Sequence, residues 1–204
     1  MGWYTEHVVP RIVIAGLSGA EHRRIRARVC AGLRGDVLEL GFGSGLNLPY
    51  LPPEVTQVLG VDPSLRAVEL AAKRIEAAPA PVRIIGLDGS ALDVPSGIAD
   101  CALSTWTLCT IPNPVAALRE VARVMKPGGT LHFVEHGRAP DARVRRWQDR
   151  LNPLQKRLVG GCHLNRDIPA ILTASGLRIT ELDTFYTPRE PKAFGHLFLG
   201  AAVR

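Results

Sequence analysis

Val37-Leu38-Glu39-Leu40 runs without a break into Gly41-Phe42-Gly43-Ser44-Gly45, and this junction constrains the chain more than any other stretch. An apolar run that ends in three closely spaced glycines reads as a buried strand stopping at a tight turn. Glu39 lies inside the strand end. A second acid, Asp62, closes the next apolar run, Val58-Leu59-Gly60-Val61. Glycines let the backbone approach a ligand, and an acid beyond the second strand of such a unit takes ribose hydroxyls. The alternative is a plain strand-to-helix turn with no ligand, but two acids in register favour a nucleoside pocket.

The glycine spacing narrows the nucleoside. A dinucleotide site uses G-x-G-x-x-G, whose third glycine packs helix against strand. Here the pattern is Gly41-x-Gly43-x-Gly45, with Leu46 where the third glycine would fall. Glu39 would also repel a diphosphate. S-adenosylmethionine has no phosphate, and it carries an ammonium, a carboxylate and a sulfonium. An acid beside the turn suits the cationic tail, and exposed amides suit the carboxylate.

The rest of the chain alternates short apolar runs with longer amphipathic ones. Strands are predicted at Asp36–Leu40, Gln57–Val61, Val82–Gly86, Ala99–Ser104 and Thr130–Glu135, followed by Leu177–Thr184 and Phe194–Val203. Helices are predicted at Leu46–Tyr50, Leu65–Ala77, Pro114–Val124, about 141–159 and Ile168–Ser175, with Lys126-Pro127-Gly128-Gly129 stopping the third. This alternation implies an α/β fold: a Rossmann-like doubly wound sheet, mostly parallel, with an antiparallel C-terminal hairpin and helices on both faces. Residues 1–34 read as a helical lid region broken at Ser18-Gly19, and 137–170 as a helical insertion on the acceptor side.

In such sheets ligands bind beyond the carboxyl ends of the strands. The residues expected there are Glu39, Gly41, Gly43, Ser44 and Gly45; Asp62 and Pro63; Asp88, Gly89, Ser90 and Ala91; Thr105, Trp106, Thr107, Leu108 and Cys109; and Glu135 and His136. All emerge on one edge of the sheet.

With 204 residues, a single domain spanning 1–204 is expected. No membrane-length apolar run and no signal-peptide pattern is read, so a cytoplasmic location is expected. Cys30, Cys101, Cys109 and Cys162 form no C-x-x-C pair, so neither structural zinc nor a disulfide framework is expected, and no metal ligand is assigned. The formal charge of +6 is concentrated between Arg143 and Arg157. A solvated helix face is the ordinary reading, and a weak membrane-surface contact is the sharper one. No recognisable nucleic-acid module accompanies it, so no nucleic-acid partner is expected. Oligomeric state is left open.

From about Arg34 to Arg204 the chain resembles the class I S-adenosylmethionine-dependent methyltransferases. Glu39 through Gly45 resembles their first motif, Asp62 their ribose-binding acid, and Leu118-Arg119-Glu120-Val121-Ala122-Arg123-Val124-Met125-Lys126-Pro127-Gly128-Gly129 the helix and turn before the fifth strand. Relatives often carry an acid where Ser90 stands, and Asp88 lies two residues earlier. A narrower likeness joins Ser104-Thr105-Trp106-Thr107-Leu108-Cys109, Glu135-His136 and Gly160-Gly161-Cys162-His163-Leu164-Asn165-Arg166. These are similar to methyltransferase-like proteins that include animal thiol S-methyltransferases. The resemblance implies S-adenosylmethionine as cofactor, S-adenosylhomocysteine as product and a small-molecule acceptor.

Methyl transfer from a sulfonium is an in-line displacement, for which alignment supplies about 7–11 kcal/mol. A hydroxyl acceptor also benefits from a general base, worth about 10²–10⁴-fold. His136 is the first candidate base, then His163, then the deeper His132, with Glu135 orienting His136 or binding acceptor hydroxyls. Trp106 is placed against the sulfonium through a cation–π contact. Tyr4, Leu108, Cys109, Asn165, Arg166 and Tyr186 are the expected acceptor contacts. Similar enzymes grip a base's amino group with Asn/Asp-Pro-Pro-aromatic, and its absence after the fourth strand argues against nucleobase N-methylation. The absence of a carboxylate directly after that strand argues against a catechol-type magnesium site. The leading expectation is methylation of a sugar or phenol-like hydroxyl. A thiol S-methyltransferase is the alternative, and a non-catalytic cofactor-binding regulator the second.

Overall fold

The computed structural model describes residues 3–86 and 88–204. Three N-terminal helices, α1 (Trp3–His7), α2 (Val9–Leu17) and α3 (Ala20–Cys30), precede β1 (Gly35–Leu40). There follow β2 (Val55–Val61), α4 (Leu65–Glu76), β3 (Val82–Gly86), β4 (Ala99–Thr105), α5 (Pro114–Val124) and β5 (Met125–His136). The chain ends with α6 (Ala142–Leu158), α7 (Ile168–Ala174), β6 (Arg178–Tyr186), α8 (Lys192–Gly195) and β7 (His196–Val203). No described helix is long and apolar enough to cross a membrane.

The seven strands form one sheet in the order β3-β2-β1-β4-β5-β7-β6. The first five pair in parallel, and β7 is antiparallel to both β5 and β6. The expected doubly wound sheet with a C-terminal hairpin is therefore present. Strand order reverses between β1 and β4, which opens a crevice at their carboxyl ends.

Helix starts follow their caps. Ser64, Asn113, Asp141 and Asp167 each accept hydrogen bonds from first-turn amides of the helices they precede. Pro114 and Pro169 stand early in α5 and α7, where a missing N–H costs nothing. Boundaries shift where sequence signals were ambiguous. Lys126-Pro127-Gly128-Gly129, expected as a helix stop alone, lies within β5, because Met125 already pairs with Ala99. Residues 192–195, expected partly as strand, form the short helix α8 before β7 begins.

Two apolar layers sandwich the sheet. Leu38, Leu40, Leu59, Ala102, Leu118, Val121 and Phe133 pack on one face, toward α5 and α7. Val37, Val58, Cys101, Leu103 and Val134 pack on the other, against Ile25, Val29 and Leu33 at α3 and just beyond it. Side chains alternate along a strand, so Glu39 shares the α3 side with Val37. That alternation decides which groups the acid meets.

Candidate active site at the β1–β4 crevice

Glu39 is 1 % exposed at the end of β1. Its Oε1 accepts from Asn47 Nδ2 at 2.6 Å, and the same amide nitrogen donates to Thr105 Oγ1 at 3.0 Å. Arg26 of α3, 4 % exposed, donates through Nη1 to Asn47 Oδ1 (2.5 Å) and Thr105 Oγ1 (3.1 Å). An acid and a guanidinium are thus held in one buried cluster by an amide and a hydroxyl. Burial pushes the Glu39 carboxyl up to about 7, against the opposing pull of Asn47 and Arg26. Burial likewise lowers Arg26 to about 10, partly offset by Glu39. The cluster stays incomplete, since Glu39 Oε2 and Arg26 Nε are buried without partners among the described residues.

The glycine turn stands beside this cluster. Gly41, Gly43 and Gly45 have φ of 75°, 55° and 69°, the left-handed region that side chains disfavour. A Cβ at Gly41 would collide with the Thr107 side chain, whereas one at Gly43 would meet only the Gly41 carbonyl oxygen, at 3.9 Å. Asp62, 8 % exposed, accepts from Gly43 N–H and Ser64 N–H, each at 2.8 Å. The acid after β2 thereby fixes the turn after β1. Burial raises its pKa in spite of those two bonds. Arg74 of α4 donates to the Ser44 carbonyl at 3.1 Å and pins the turn from outside. Beyond β3, Asp88 accepts from the Ser90 amide and hydroxyl, and Ala91 N–H donates to the Asp88 carbonyl. Gly89 packs closely over Leu40. Pro63 follows Asp62 at the exposed rim.

These residues fit S-adenosylmethionine on an observation internal to the fold. The two orphaned atoms offer one acceptor and one donor, the complement of an ammonium and a carboxylate. Glu39 would hold the ammonium, Arg26 and the turn amides the carboxylate, and Asp62 the ribose hydroxyls.

Arg26 and Asn47 were missed by sequence reasoning, and so was His22. The signal was present, because His22, Ile25, Arg26, Val29 and Cys30 form the buried stripe of α3, and an arginine in a core stripe demands a partner. Trp106 packs against this buried cluster. The Arg26 guanidinium lies 4.8 Å from its ring centroid, and the His22 ring lies 5.3 Å away, tilted by 55°. The indole, at φ 50°, therefore backs the network.

The acceptor-side assignments change more. His136 is 8 % exposed, and its Nε2 lies 2.9 Å from the His163 carbonyl oxygen and 3.3 Å from Cys162 Sγ. Burial lowers its pKa, but Cys162, Glu135 and the His163 carbonyl together raise it. Facing a carbonyl, that nitrogen donates, which leaves Nδ1 as the ring's lone-pair nitrogen. Glu135 does not orient His136. It accepts from Ser104 Oγ (2.8 Å) and Thr107 N–H (3.0 Å), anchoring the loop after β4 from the opposite face. His132 packs beneath Gly32, four residues and roughly 13 Å down the strand from the ligand edge. The His163 ring is only partly buried, with no hydrogen bond among the described residues. Its pKa is lowered by burial, Arg166 and Lys156.

Several expected acceptor contacts are occupied. The Tyr4 hydroxyl donates to the Leu158 carbonyl at 3.0 Å. Asn165 Nδ2 donates to Asp149 at 2.7 Å. Arg166 donates to the Leu108 and Ile111 carbonyls. Leu108 is wholly buried in the core. Tyr186 keeps a buried hydroxyl without a partner among the described residues and packs edge-on against His196. Cys109, Cys162 and His136 converge from three segments. Sequence spacing gave no hint of this, since the two cysteines are 53 residues apart.

Comparison with known proteins follows the same lines. Residues 38–133 match the family described as Methyltransferase domain. Thiol S-methyltransferase TMT1B of Rattus norvegicus is 33% identical over 176 residues, covering 82% of this chain and 70% of that protein. Thiol S-methyltransferase TMT1A of Homo sapiens is 32% identical over 139 residues, covering 64% of this chain and 55% of that protein. In fold, a SAM-dependent methyltransferase from Aquifex aeolicus superposes with a TM-score of 0.67 at 18% identity, over 95% of this chain and 97% of that one.

Proposed function

Because this chain belongs to the class I S-adenosylmethionine-dependent methyltransferases, we propose that it methylates the sulfur of a small-molecule thiol. The observation that carries the reading is the 33% identity with thiol S-methyltransferase TMT1B of Rattus norvegicus over 82% of this chain. His136, the first candidate base, is 8 % exposed, with Nε2 held by the His163 carbonyl and Cys162. A hydroxyl acceptor needs a base at the reacting atom, whereas a thiol ionises near pH 8.5 and reaches its nucleophilic form with little help. This favours sulfur over the sugar or phenol hydroxyl first expected. The likeness to two thiol S-methyltransferases supports the same choice.

When bound, S-adenosylmethionine supplies an electrophilic methyl on a sulfonium. The chain's own residues bind, orient and exclude water. Glu39 and Arg26 hold the amino-acid tail, Asp62 the ribose, and the Glu135-anchored loop after β4 sets the floor on which the acceptor approaches.

Competition between a matched thiol and alcohol of equal carbon skeleton tests the proposal. Methyl should appear on sulfur alone, with a rate that climbs with pH through the thiol's own ionisation. Preferential alcohol methylation would return the acceptor to oxygen. Tight binding of S-adenosylhomocysteine with no transfer to either would support a non-catalytic, cofactor-binding role.

A further inference from the structure

Three buried side chains meet beneath the acceptor edge. Cys109 lies in the loop after β4, His136 at the end of β5, and Cys162 between α6 and α7. Their exposures are 1 %, 8 % and 5 %. Cys162 Sγ lies 3.6 Å from Cys109 Sγ and 3.3 Å from His136 Nε2, and all three ligand atoms fall within 4.8 Å of one another. We propose that Cys109, His136 and Cys162 form a binding site for one thiophilic divalent cation of the zinc type.

The separations carry the argument. With Zn–S of about 2.3 Å and Zn–N of about 2.0–2.1 Å, a tetrahedral centre has an S···S edge of about 3.8 Å and an S···N edge of about 3.5 Å. The two closest pairs match these edges to within a few tenths of an ångström. Two thiolates and an imidazole are also the donor set that soft and borderline ions select over magnesium or calcium. Charge closes as well, since two thiolates neutralise a divalent ion.

Binding rearranges the local hydrogen bonds in a defined way. The thiol of Cys109 gives up its contact with the Trp106 carbonyl, 3.4 Å away. His136 gives up the His163 carbonyl, because Nε2 must present a lone pair and its proton moves to Nδ1. In exchange the ion ties β4, β5 and the α6–α7 connection at one point. It would add to the hydrogen bonds that already join those segments: the His163 amide on the Cys109 carbonyl (2.8 Å), the Thr107 amide on Glu135 (3.0 Å) and the Arg138 amide on the Arg166 carbonyl (2.8 Å). Three protein ligands leave a fourth position for an exogenous ligand. The site was invisible to a search for C-x-x-C, because its cysteines come from separate loops.

The test uses the reduced full chain, stripped with a chelator and titrated with zinc against a chromophoric competitor. One equivalent should bind, and cobalt in its place should show a thiolate-to-metal charge-transfer band. Cys109→Ser and Cys162→Ser should each weaken zinc binding by at least about 100-fold, more than the loss of an outer partner usually costs. The wild-type melting temperature should rise with zinc, as it must when a ligand binds only the folded state. The cobalt spectrum and this melt need no variant, so a poorly folding substitution leaves the test intact. Absence of stoichiometric binding to fully reduced wild-type protein overturns the proposal. So does a Cys109–Cys162 disulfide that forms in air and restores the same melting temperature without metal.

Discussion

Glu39 is the residue whose chemistry the fold alters most. A carboxyl held near about 7 by burial binds a proton in the folded chain that it has lost in the unfolded one. The unfolded value is near 4.3, so the cofactor-free protein is stabilised by this group at low pH, and that contribution is lost as pH rises through about 7. An ammonium reverses the preference, because it pairs only with the ionised form. Cofactor affinity should therefore climb between about pH 5 and pH 8, with protons released from the protein on binding. Calorimetry of S-adenosylhomocysteine in buffers of different ionisation enthalpy measures both effects, and Glu39→Gln should flatten them. A pH-independent affinity with no proton release would remove Glu39 from the tail site. Arg26 completes the pair from a separate helix. Arg26→Met leaves Glu39 buried without its counter-charge, a change that commonly costs about 3–5 kcal/mol. Its melting temperature should fall at pH 8 and recover toward pH 5, where Glu39 is protonated. Equal losses at both pH values would mean that the arginine acts through packing alone.

At the level of elements, the glycine turn was legible because its constraint is local. Glycine spacing, an acid inside the strand and an acid after the next strand are all readable from neighbours in sequence. The turn separates two roles that one variant each should isolate. Gly41→Ala meets both a left-handed backbone and the Thr107 side chain. It should cost more than the about 1–2 kcal/mol of the backbone alone and lower the melting temperature sharply. Gly43→Ala meets only the Gly41 carbonyl oxygen at ordinary contact distance, so its stability loss should stay near that backbone cost while cofactor affinity falls at least tenfold. Equal damage to stability in the two variants would contradict the geometry. What the sequence hid was contact between elements distant in the chain. Arg26 reaches Thr105 across 79 residues, and Cys162 reaches Cys109 across 53. Neither helical periodicity nor strand alternation encodes such meetings, because both report only which face of an element is buried. The histidines show the same limit. His136 was rightly placed at the sheet edge, but its proton partner, the His163 carbonyl, comes from a loop whose path no local pattern specifies.

On the scale of the whole molecule, the densest run of basic residues lies on α6. The outer face of α6 carries Arg143, Trp147, Arg150, Leu154, Arg157 and Leu158, all exposed. Trp147 is 51 % exposed, Leu154 55 % and Leu158 46 %, so large apolar groups alternate with guanidiniums along one stripe. The α6 stripe has the two components of interfacial attachment, apolar side chains to insert and cations to attract anionic headgroups. The partner proposed for this face is an anionic lipid surface. Each arginine near such a surface contributes about 1 kcal/mol, and the attraction decays within a Debye length of about 8 Å at physiological salt. Binding should therefore be weak, salt-sensitive and dependent on lipid charge. Co-sedimentation with vesicles containing phosphatidylserine should show association at low salt that high salt reverses, with little binding to purely zwitterionic vesicles. Reversing Arg150 and Arg157 to Glu should abolish it while leaving cofactor affinity unchanged, since neither residue touches the β1–β4 crevice. Trp147→Ser should weaken it without altering the salt slope, because the indole adds inserted area and no charge. Association that ignores salt and lipid charge, or that survives the double reversal, would make the stripe a solvated helix face. The long-range field would then serve only to draw an anionic acceptor toward this side of the molecule.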